Sequence, residues 1–256
     1  MNSIKKLPVS VCMLCLNESE RLPNALKYLN HFAEWLVYDT GSTDDSANIA
    51  RKMGATVASV TWEGFSRTRV RHFREARENW ILWLDADEFL TEKGIEELQH
   101  VFENGEAELY DAFRLNRMIY FQGKWIRHGD WFPDWNVRLF RSNCWDMEDR
   151  SVHESLQING KIGRLEEHLE HHSFTSWEDK ERRSHKYAKL WAEMESEKGK
   201  RAAWWTPYLR GAWKFLKGFF VKKGFLDGIM GLRIAISNAR ETHLKYRLLK
   251  RQSSNS

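Results

Sequence analysis

The first part of the chain alternates between short apolar runs and stretches with helical spacing. Apolar runs predict strands over 9–16, 35–39, 56–60 and 80–84. Helical spacing between these runs predicts helices over 19–32, 43–53 and 66–78. Because strands alternate with helices, we predict an α/β fold in which a mixed, mainly parallel sheet is flanked by helices.

Beyond this alternation the pattern changes twice. The segment 110–169 is rich in aromatic residues and turn signals, which indicates mixed strand and loop. From Trp177 to about Lys200 the spacing is helical and charged, and a basic, aromatic helical segment follows. We therefore predict a domain over 1–175 and a helical, basic C-terminal extension over 176–256.

Polar side chains follow three of the predicted strands at the point where each strand ends. Asn17 and Glu18 come after the first strand, Asp39 ends the second, and Asp85-Ala86-Asp87-Glu88 follows the run 80–84. In wound α/β sheets, ligands bind beyond the carboxyl ends of the strands. We therefore expect these groups to line one ligand site.

The acidic cluster at residues 85–88 indicates a cation site. Crowded carboxylates repel each other, and Mg²⁺ or Mn²⁺ prefers oxygen ligands that it often shares with a diphosphate. The cluster also fits a solvated acidic turn, and Asn17 with Glu18 also fits a helix cap. Because three strand ends converge, the pattern favours an enzyme that acts on a nucleotide-activated substrate.

Composition narrows the setting of the protein. The chain has 256 residues, 42% of them hydrophobic, and a net charge of +4. It contains neither an apolar run of about 18 residues nor a signal-peptide pattern, which predicts a protein without a transmembrane helix. The cysteines are Cys12, Cys15 and Cys144, an odd number that favours the cytoplasm. Cys12 and Cys15, inside the first predicted strand, are interpreted as small buried apolar residues.

Positive charge is concentrated near the C-terminus. The segment 204–251 has eleven Lys or Arg against two acidic residues, a local net charge of +9. A helical stripe crosses this segment, formed by Leu209, Trp213, Leu216 and Phe220. Such a stripe usually packs on the protein itself, but together with the basic charge it favours contact with an anionic membrane surface.

Several short motifs carry a family resemblance. The chain resembles the inverting family 2 glycosyltransferases with a GT-A fold, and more narrowly the lipopolysaccharide core glucosyltransferases that act on inner-core heptose. The motifs are Cys15-Leu16-Asn17-Glu18, Asp39-Thr40-Gly41-Ser42-Thr43-Asp44, Trp62-Glu63-Gly64-Phe65, 80–88, Val137-Arg138-Leu139-Phe140-Arg141 and Val152-His153-Glu154. The resemblance covers about residues 8–190, with Val70 departing from the family pattern after Arg69.

The resemblance implies a donor site for a UDP-sugar with a divalent metal, Mg or Mn. The implied donor contacts are Asn17, Glu18, Asp39, Arg69 and Asp85.

The implied metal ligands are Asp87 first, then Asp85 and His171. An inverting reaction also needs a carboxylate base on the acceptor side. Glu154 is the first candidate for that base, and Asp149 is the second.

The resemblance further implies that a hexose, with glucose favoured, is transferred to a lipid-linked saccharide such as the lipopolysaccharide inner core. The protein would then lie in the cytoplasm, peripheral to the inner face of the cytoplasmic membrane, and no nucleic acid is expected as a partner. Two alternatives stay open. A basic, Trp-rich nucleic-acid-binding protein would leave the strand-end acids without a role. A metal-dependent nucleotidyltransferase would normally have a Gly-rich phosphate loop near the first strand, which 14–21 lacks.

Overall fold

The computed structural model describes residues 6–148 and 155–253 of the chain. The chain forms two compact units. The first unit comprises Met1–Arg117 with Asp134–His171, and the second comprises Met118–Pro133 with His172–Ser256. The predicted division at residue 175 thus lies close to the second boundary, while Met118–Pro133 groups with the C-terminal helices.

The elements follow the chain order β-α-β-α-β-α-β before a second series of strands and a run of helices. The strands are β1 (Leu7–Cys15), β2 (Phe32–Asp39), β3 (Thr56–Ser59), β4 (Trp80–Asp85), β5 (Glu88–Phe89), β6 (Ala112–Phe121), β7 (Lys124–Trp125), β8 (Trp135–Arg141), β9 (Trp145–Glu148), β10 (Ser155–Ile158) and β11 (Ile162–His171). The helices are α1 (Leu22–Ala25), α2 (Ser46–Lys52), α3 (Phe65–Arg74), α4 (Glu92–Glu103), α5 (Trp177–Glu197), α6 (Thr206–Leu216) and α7 (Gly228–Ser253).

The first unit is built on one sheet with the strand order β3-β2-β1-β4-β8-β6-β11-β5. The ladders between β3, β2, β1 and β4 are parallel, whereas β4 pairs with β8 and β8 with β6 in antiparallel register. The central strand β1 is buried along most of its length. Strands covered on both faces are apolar without alternation, which explains the continuous apolar run that identifies β1 in the sequence.

The helix predicted over 19–32 is much shorter in the structure. Only α1 is α-helical there; a 3₁₀ turn at Leu29–His31 follows, and β2 already begins at Phe32. Leu22 and Leu26 are both buried, so a single turn is enough to place them in the core. Phe32 is also buried, but it is the first residue of β2 and not the last residue of a helix.

Cys12 and Cys15 lie buried in β1, and neither forms a disulfide. Burial raises the pKa of the Cys15 thiol to about 11, although a hydrogen bond with Ser46 acts in the opposite direction. A thiol with so high a pKa is protonated and unreactive at neutral pH. The interpretation of these cysteines as small apolar residues is confirmed.

The second unit is mainly helical. A small apolar core joins its elements, formed by Ile119, Phe121, Ile126, Met230 and Ile234. Helices α6 and α7 approach closely at Gly211, where an added Cβ would meet the carbonyl oxygen of Ala239 at 3.2 Å.

The mixed α/β fold with a C-terminal helical extension is therefore confirmed. Within the described residues, no helix combines the length and the apolar composition needed to cross a membrane.

Candidate active site

Two loops are joined at the carboxyl ends of β1 and β2. The backbone N–H of Asn17 donates to Oγ of Ser42 at 2.9 Å, and the Asn17 side-chain oxygen accepts from the backbone N–H of Thr43 at 2.8 Å. One residue later, the backbone N–H of Glu18 donates to Oγ of Ser46 at 2.8 Å. These bonds hold residues 42–45 in a loop, so α2 begins at Ser46 rather than at the predicted Thr43.

Asn17 and Glu18 thus contribute to the local structure of this edge. Asn17 has a left-handed backbone with φ of 55°, which Asn tolerates better than most residues. The Glu18 carboxylate forms an ion pair with Arg21 at 3.0 Å. Direct contacts from these two residues to a nucleotide stay a prediction.

Asp39 and Asp85 stand on either side of the end of β1. In the parallel ladders Asp39 is opposite Cys15 and Asp85 is opposite Leu14. Since neighbouring strands are about 4.8 Å apart, the two Cα atoms are separated by roughly 10 Å. Asp39 is buried and accepts from the backbone N–H of Ser42 at 3.1 Å. The two acidic residues therefore lie at the same edge of the sheet, on either side of β1. That both contact one nucleoside stays a prediction.

Asp85 is neutralised by arginine rather than left to repel its neighbours. Arg69 Nη2 donates to one of its carboxylate oxygens at 2.7 Å, and Arg138 Nη2 donates to the other at 3.0 Å. Burial alone would raise the pKa of Asp85, but Arg69 and Arg138 hold that pKa well below its usual range. The Asp85 carboxylate is consequently ionised and fixed in orientation.

The same arginine network continues to Glu88, which is fully buried. Arg138 and Arg117 both donate to the Glu88 carboxylate, and Arg117 also pairs with Asp134 at 2.6 Å. The backbone N–H of Asp85 donates to Glu88 as well, at 3.2 Å. Three carboxylates are thus balanced by three guanidinium groups beneath the acidic turn.

Trp83 contacts two of these guanidinium groups with its ring. The carbon centres of the Arg69 and Arg138 guanidinium groups are 4.4 and 4.5 Å from the centroid of its ring. Its indole N–H also donates to Asp85 at 3.3 Å. A cation over the face of an indole ring is attracted by the ring quadrupole, so Trp83 helps hold both arginines against Asp85.

Asp87 lies outside the arginine network and beside His171. The antiparallel ladder between β5 and β11 sets His171 opposite Glu88, and His171 Nε2 is 3.5 Å from a carboxylate oxygen of Asp87. The Asp87 side chain is 20% exposed and that of His171 is 11% exposed. Burial would raise the pKa of Asp87, but the neighbouring His171 holds it below its usual value.

The donor atoms of Asp87 and His171 fit two adjacent ligands of a divalent ion. Such ligands stand about 3 Å apart when the metal–ligand bonds are about 2.1 Å, close to the observed separation. Nδ1 of His171 is buried and has no hydrogen-bond partner in the described part of the chain. No group of three or more His, Cys, Asp or Glu suited to a metal occurs among the described residues. An ion here would take its remaining ligands from substrate and water, as Mg²⁺ commonly does.

The other predicted site residues are either outside the described residues or already bonded within the protein. Glu154 and Asp149, the two candidate bases, lie outside the described residues. Arg69 is buried against Asp85, so a direct contact between Arg69 and the donor stays a prediction. Metal ligation by Asp85 also stays a prediction, although both of its oxygens already accept from arginine.

Sequence reasoning did not identify the support that Arg117, Arg138 and Trp83 provide. One signal was available for Arg138. It lies between apolar residues in Val137-Arg138-Leu139-Phe140 and is buried in β8, and a buried arginine requires an acidic partner.

Comparisons with known proteins indicate the family and the fold. The family model described as "Glycosyl transferase family 2" matches residues 10–161. An uncharacterized glycosyltransferase of Rickettsia conorii is 27% identical over 99% of this chain and 93% of its own length. The lipopolysaccharide core biosynthesis glycosyltransferase LpsC of Rhizobium meliloti is 25% identical over 97% of this chain and 96% of that protein. The crystal structure of S. aureus TarS 1-349 in complex with UDP-GlcNAc has a similar fold, with a TM-score of 0.50 and 12% identity over 97% of this chain and 92% of that one.

Proposed function

Since this chain belongs to glycosyl transferase family 2, we propose that it transfers a hexose, with glucose favoured, from a UDP-sugar to a lipid-linked saccharide. The similarity to LpsC, a lipopolysaccharide core biosynthesis glycosyltransferase, supports an acceptor such as the lipopolysaccharide inner core. The similar fold of TarS, whose crystal structure contains UDP-GlcNAc, supports a UDP-linked donor.

The observation that carries this proposal is the difference in charge partners between Asp85 and Asp87. Arginines balance Asp85, whereas Asp87 faces His171 without an arginine partner among the described ion pairs. Asp85, whose charge is already balanced, therefore suits a neutral hydrogen-bond donor, whereas Asp87 suits a cation. A ribose and a metal-bound diphosphate are the adjacent parts of a nucleotide-sugar that require these two environments.

Each acid at the sheet edge has a distinct role in the proposal. Asp39 accepts hydrogen bonds from the uridine, and Asp85 accepts from a ribose hydroxyl. Two ionised oxygens offer about four acceptor positions, so the Asp85 side chain, which is 28% exposed, retains acceptor capacity beyond its arginine contacts. Arg69 and Arg138 keep this carboxylate ionised and in place.

Asp87 and His171 would hold the divalent metal, Mg or Mn. When bound, the metal offsets the negative charge that develops on the departing diphosphate. Asp87 is ionised at neutral pH because its pKa is lowered beside His171. These two side chains therefore fix the diphosphate end of the donor.

Transfer with inversion requires a base that removes the proton from the acceptor hydroxyl as that oxygen attacks the anomeric carbon. Glu154 is the first candidate and Asp149 the second. Both follow β9, which is paired with β10 in an antiparallel hairpin. The donor acids at the edge of the sheet have no part in this proton transfer.

A membrane surface is the proposed location of the acceptor. Leu209, Trp213, Leu216 and Phe220 are all exposed in the second unit, with exposed fractions from 46% to 60%. Core packing of this stripe, the usual outcome, is thus absent. Apolar side chains on basic helices bind the interface of anionic lipid, so the extension would keep the protein peripheral to the inner face of the cytoplasmic membrane.

The central test compares Asp87→Ala with Asp45→Ala, a matched acid-to-alanine change at an exposed position in the loop before α2. UDP-glucose, UDP-galactose and UDP-GlcNAc are tested with Mg²⁺, Mn²⁺ or a chelator, and donor hydrolysis and thermal stabilisation are measured. We expect metal-dependent stabilisation by UDP-glucose, its loss in Asp87→Ala and its retention in Asp45→Ala. Undiminished metal-dependent activity of Asp87→Ala would falsify the assigned role of Asp87.

A further inference from the structure

A cationic cavity lies between the N-terminal part of α6 and the C-terminal part of α7. Its volume is about 550 Å³. The lining residues are Trp204, Pro207, Tyr208, His243, Arg247, Lys250 and Arg251. These include three permanent cations and no Asp or Glu, so the cavity favours an anionic ligand.

The cations share one helical face. His243, Arg247, Lys250 and Arg251 are spaced at i, i+4, i+7 and i+8 along α7, which places them on the same side of the helix. The exposed rings of Trp204 and Tyr208 stand on the α6 side of the cavity. Aromatic side chains of this kind are typical of the membrane interface, where one part of the ligand is polar and the other apolar.

An apolar groove adjoins the cavity. Its volume is about 690 Å³, and it shares Tyr208 and His243 with the cationic cavity. Most of its other lining residues are small or apolar: Gly211, Ala212, Phe215, Leu216, Ile236 and Ala239. Arg240 completes the lining. A polar cavity and an apolar groove therefore form one continuous surface within the second unit.

We propose that this surface binds one anionic phospholipid molecule, with its phosphate in the cationic cavity and an acyl chain along the apolar groove. Charge complementarity selects the headgroup, and the shared residues Tyr208 and His243 mark the passage from headgroup to chain. The inference deepens the proposed membrane contact and rests on it, because it replaces a general attraction to anionic lipid with a defined site.

The test uses lipid monomers so that a bilayer surface cannot account for binding. Calorimetry measures the affinity of the full chain for short-chain phosphatidylglycerol below its micelle concentration. Two comparison ligands are measured in the same way. Short-chain phosphatidylcholine has acyl chains but no net charge, and glycerol 3-phosphate has the phosphate but no acyl chains. We expect phosphatidylglycerol to bind at least about tenfold more tightly than either comparison ligand, a difference of about 1.4 kcal/mol.

Three variants assign the binding to this surface. The double variant Arg247→Ala with Arg251→Ala should weaken phosphatidylglycerol binding by about tenfold or more. Lys186→Ala with Lys189→Ala removes the same charge from exposed positions of α5 and should leave binding unchanged. Ala212→Gln, an uncharged polar change at an exposed position in the groove, should weaken lipid binding without changing the weak affinity for glycerol 3-phosphate.

Two outcomes would overturn the proposed lipid site. Equal affinity for glycerol 3-phosphate and phosphatidylglycerol would indicate a free-phosphate pocket. Binding to phosphatidylglycerol vesicles without binding to the monomer would leave only a general surface attraction. Asp87→Ala separates this site from the transferase proposal, because it should abolish sugar transfer and leave monomer binding intact. Failure of one proposal is therefore visible without failure of the other.

Discussion

Arginine is used in opposite ways in the two units of the molecule. Beneath the acidic turn of the first unit, Arg69, Arg117 and Arg138 are paired with three carboxylates. In the cationic cavity of the second unit, Arg247 and Arg251 are exposed and no acid lines the cavity. Internal pairing fixes geometry, whereas exposed cations in a cavity that no acid lines are available to an anionic partner. The first cluster therefore fixes the carboxylates at the sheet edge, and the second suits the proposed lipid headgroup.

The largest loss of unfolding free energy in this comparison is expected from Arg138→Ala. This change leaves Asp85 and the fully buried Glu88 without one of their guanidinium partners. Removing one member of a buried ion pair typically costs about 3–5 kcal/mol, because the remaining charge is left uncompensated. Urea unfolding monitored by tryptophan fluorescence should show a loss of this size.

The matched control for Arg138→Ala is Arg251→Ala in the cationic cavity. An exposed substitution away from structural contacts changes the free energy of unfolding by no more than about 0.5 kcal/mol. A similar loss of stability in both variants would contradict the contrast between the two clusters.

Acidification sharpens the comparison through His72, a buried histidine of the first unit that stays neutral in the folded state. His72 is fully buried and bonds through Nε2 to the carbonyl oxygen of Leu36. Burial lowers the pKa of His72 from 6.5 to about 3. Because the folded state resists protonation, stability contributed by neutral His72 is present above 6.5 and is lost as the pH falls toward 3.

The expected slope from His72 is about 1.4 kcal/mol per pH unit within that window. His72→Gln retains a side-chain donor for Leu36 and removes the titration. Urea midpoints of the two proteins, measured at matched pH values, should converge as the pH falls. Parallel curves would show that His72 does not contribute to the acid sensitivity.

A smaller effect is expected from Trp83→Leu. The substitution removes the ring that contacts Arg69 and Arg138 but keeps every ion pair of the network. Cation–π contacts contribute about 0.5–1 kcal/mol at exposed sites and about 2 kcal/mol when desolvated, and Trp83 is partly buried. We expect a loss of stability of about 1–2 kcal/mol and weaker UDP-glucose binding, with partial recovery in Trp83→Phe. Unchanged values for both quantities would remove Trp83 from the support of Asp85.

The smallest effect in the series is expected for Arg251→Ala in membrane binding. One basic residue near an anionic surface contributes about 1 kcal/mol, which is about a fivefold change in vesicle partitioning. Sedimentation with phosphatidylglycerol vesicles measures this change, and added salt should reduce the difference between variant and parent. A salt-independent difference would indicate a cause other than charge.

Local patterning predicted the first half of the fold well because its elements are separated by recognisable changes in hydrophobic period. The alternation of strands and helices predicts parallel ladders, and these ladders bring Asp39 and Asp85 to one edge of the sheet. The helix over 19–32 was predicted too long because helical spacing of apolar residues does not distinguish one buried turn from three. That distinction depends on the start of β2 at Phe32.

The support of Asp85 was not predictable from the sequence for a different reason. Arg117 and Arg138 come from β6 and β8, whose antiparallel register is set by long-range pairing. A single sequence contains no direct signal for that register. Exposure of the stripe that includes Trp213 was likewise undecided, since helical spacing is the same for a core face and for a membrane-binding face.

The two-residue strand β5 has a consequence for the order in which the protein matures. Asp87 and His171 come together only when β11 pairs with β5, and β11 is the last strand of the chain. During synthesis, the strand ends of β1, β2 and β4 that would hold the nucleoside in the proposed site are therefore made well before His171. A prematurely terminated chain that lacks β11 would lack one of the two proposed metal ligands. Under the proposed function, catalytic competence would thus require that translation has passed residue 171.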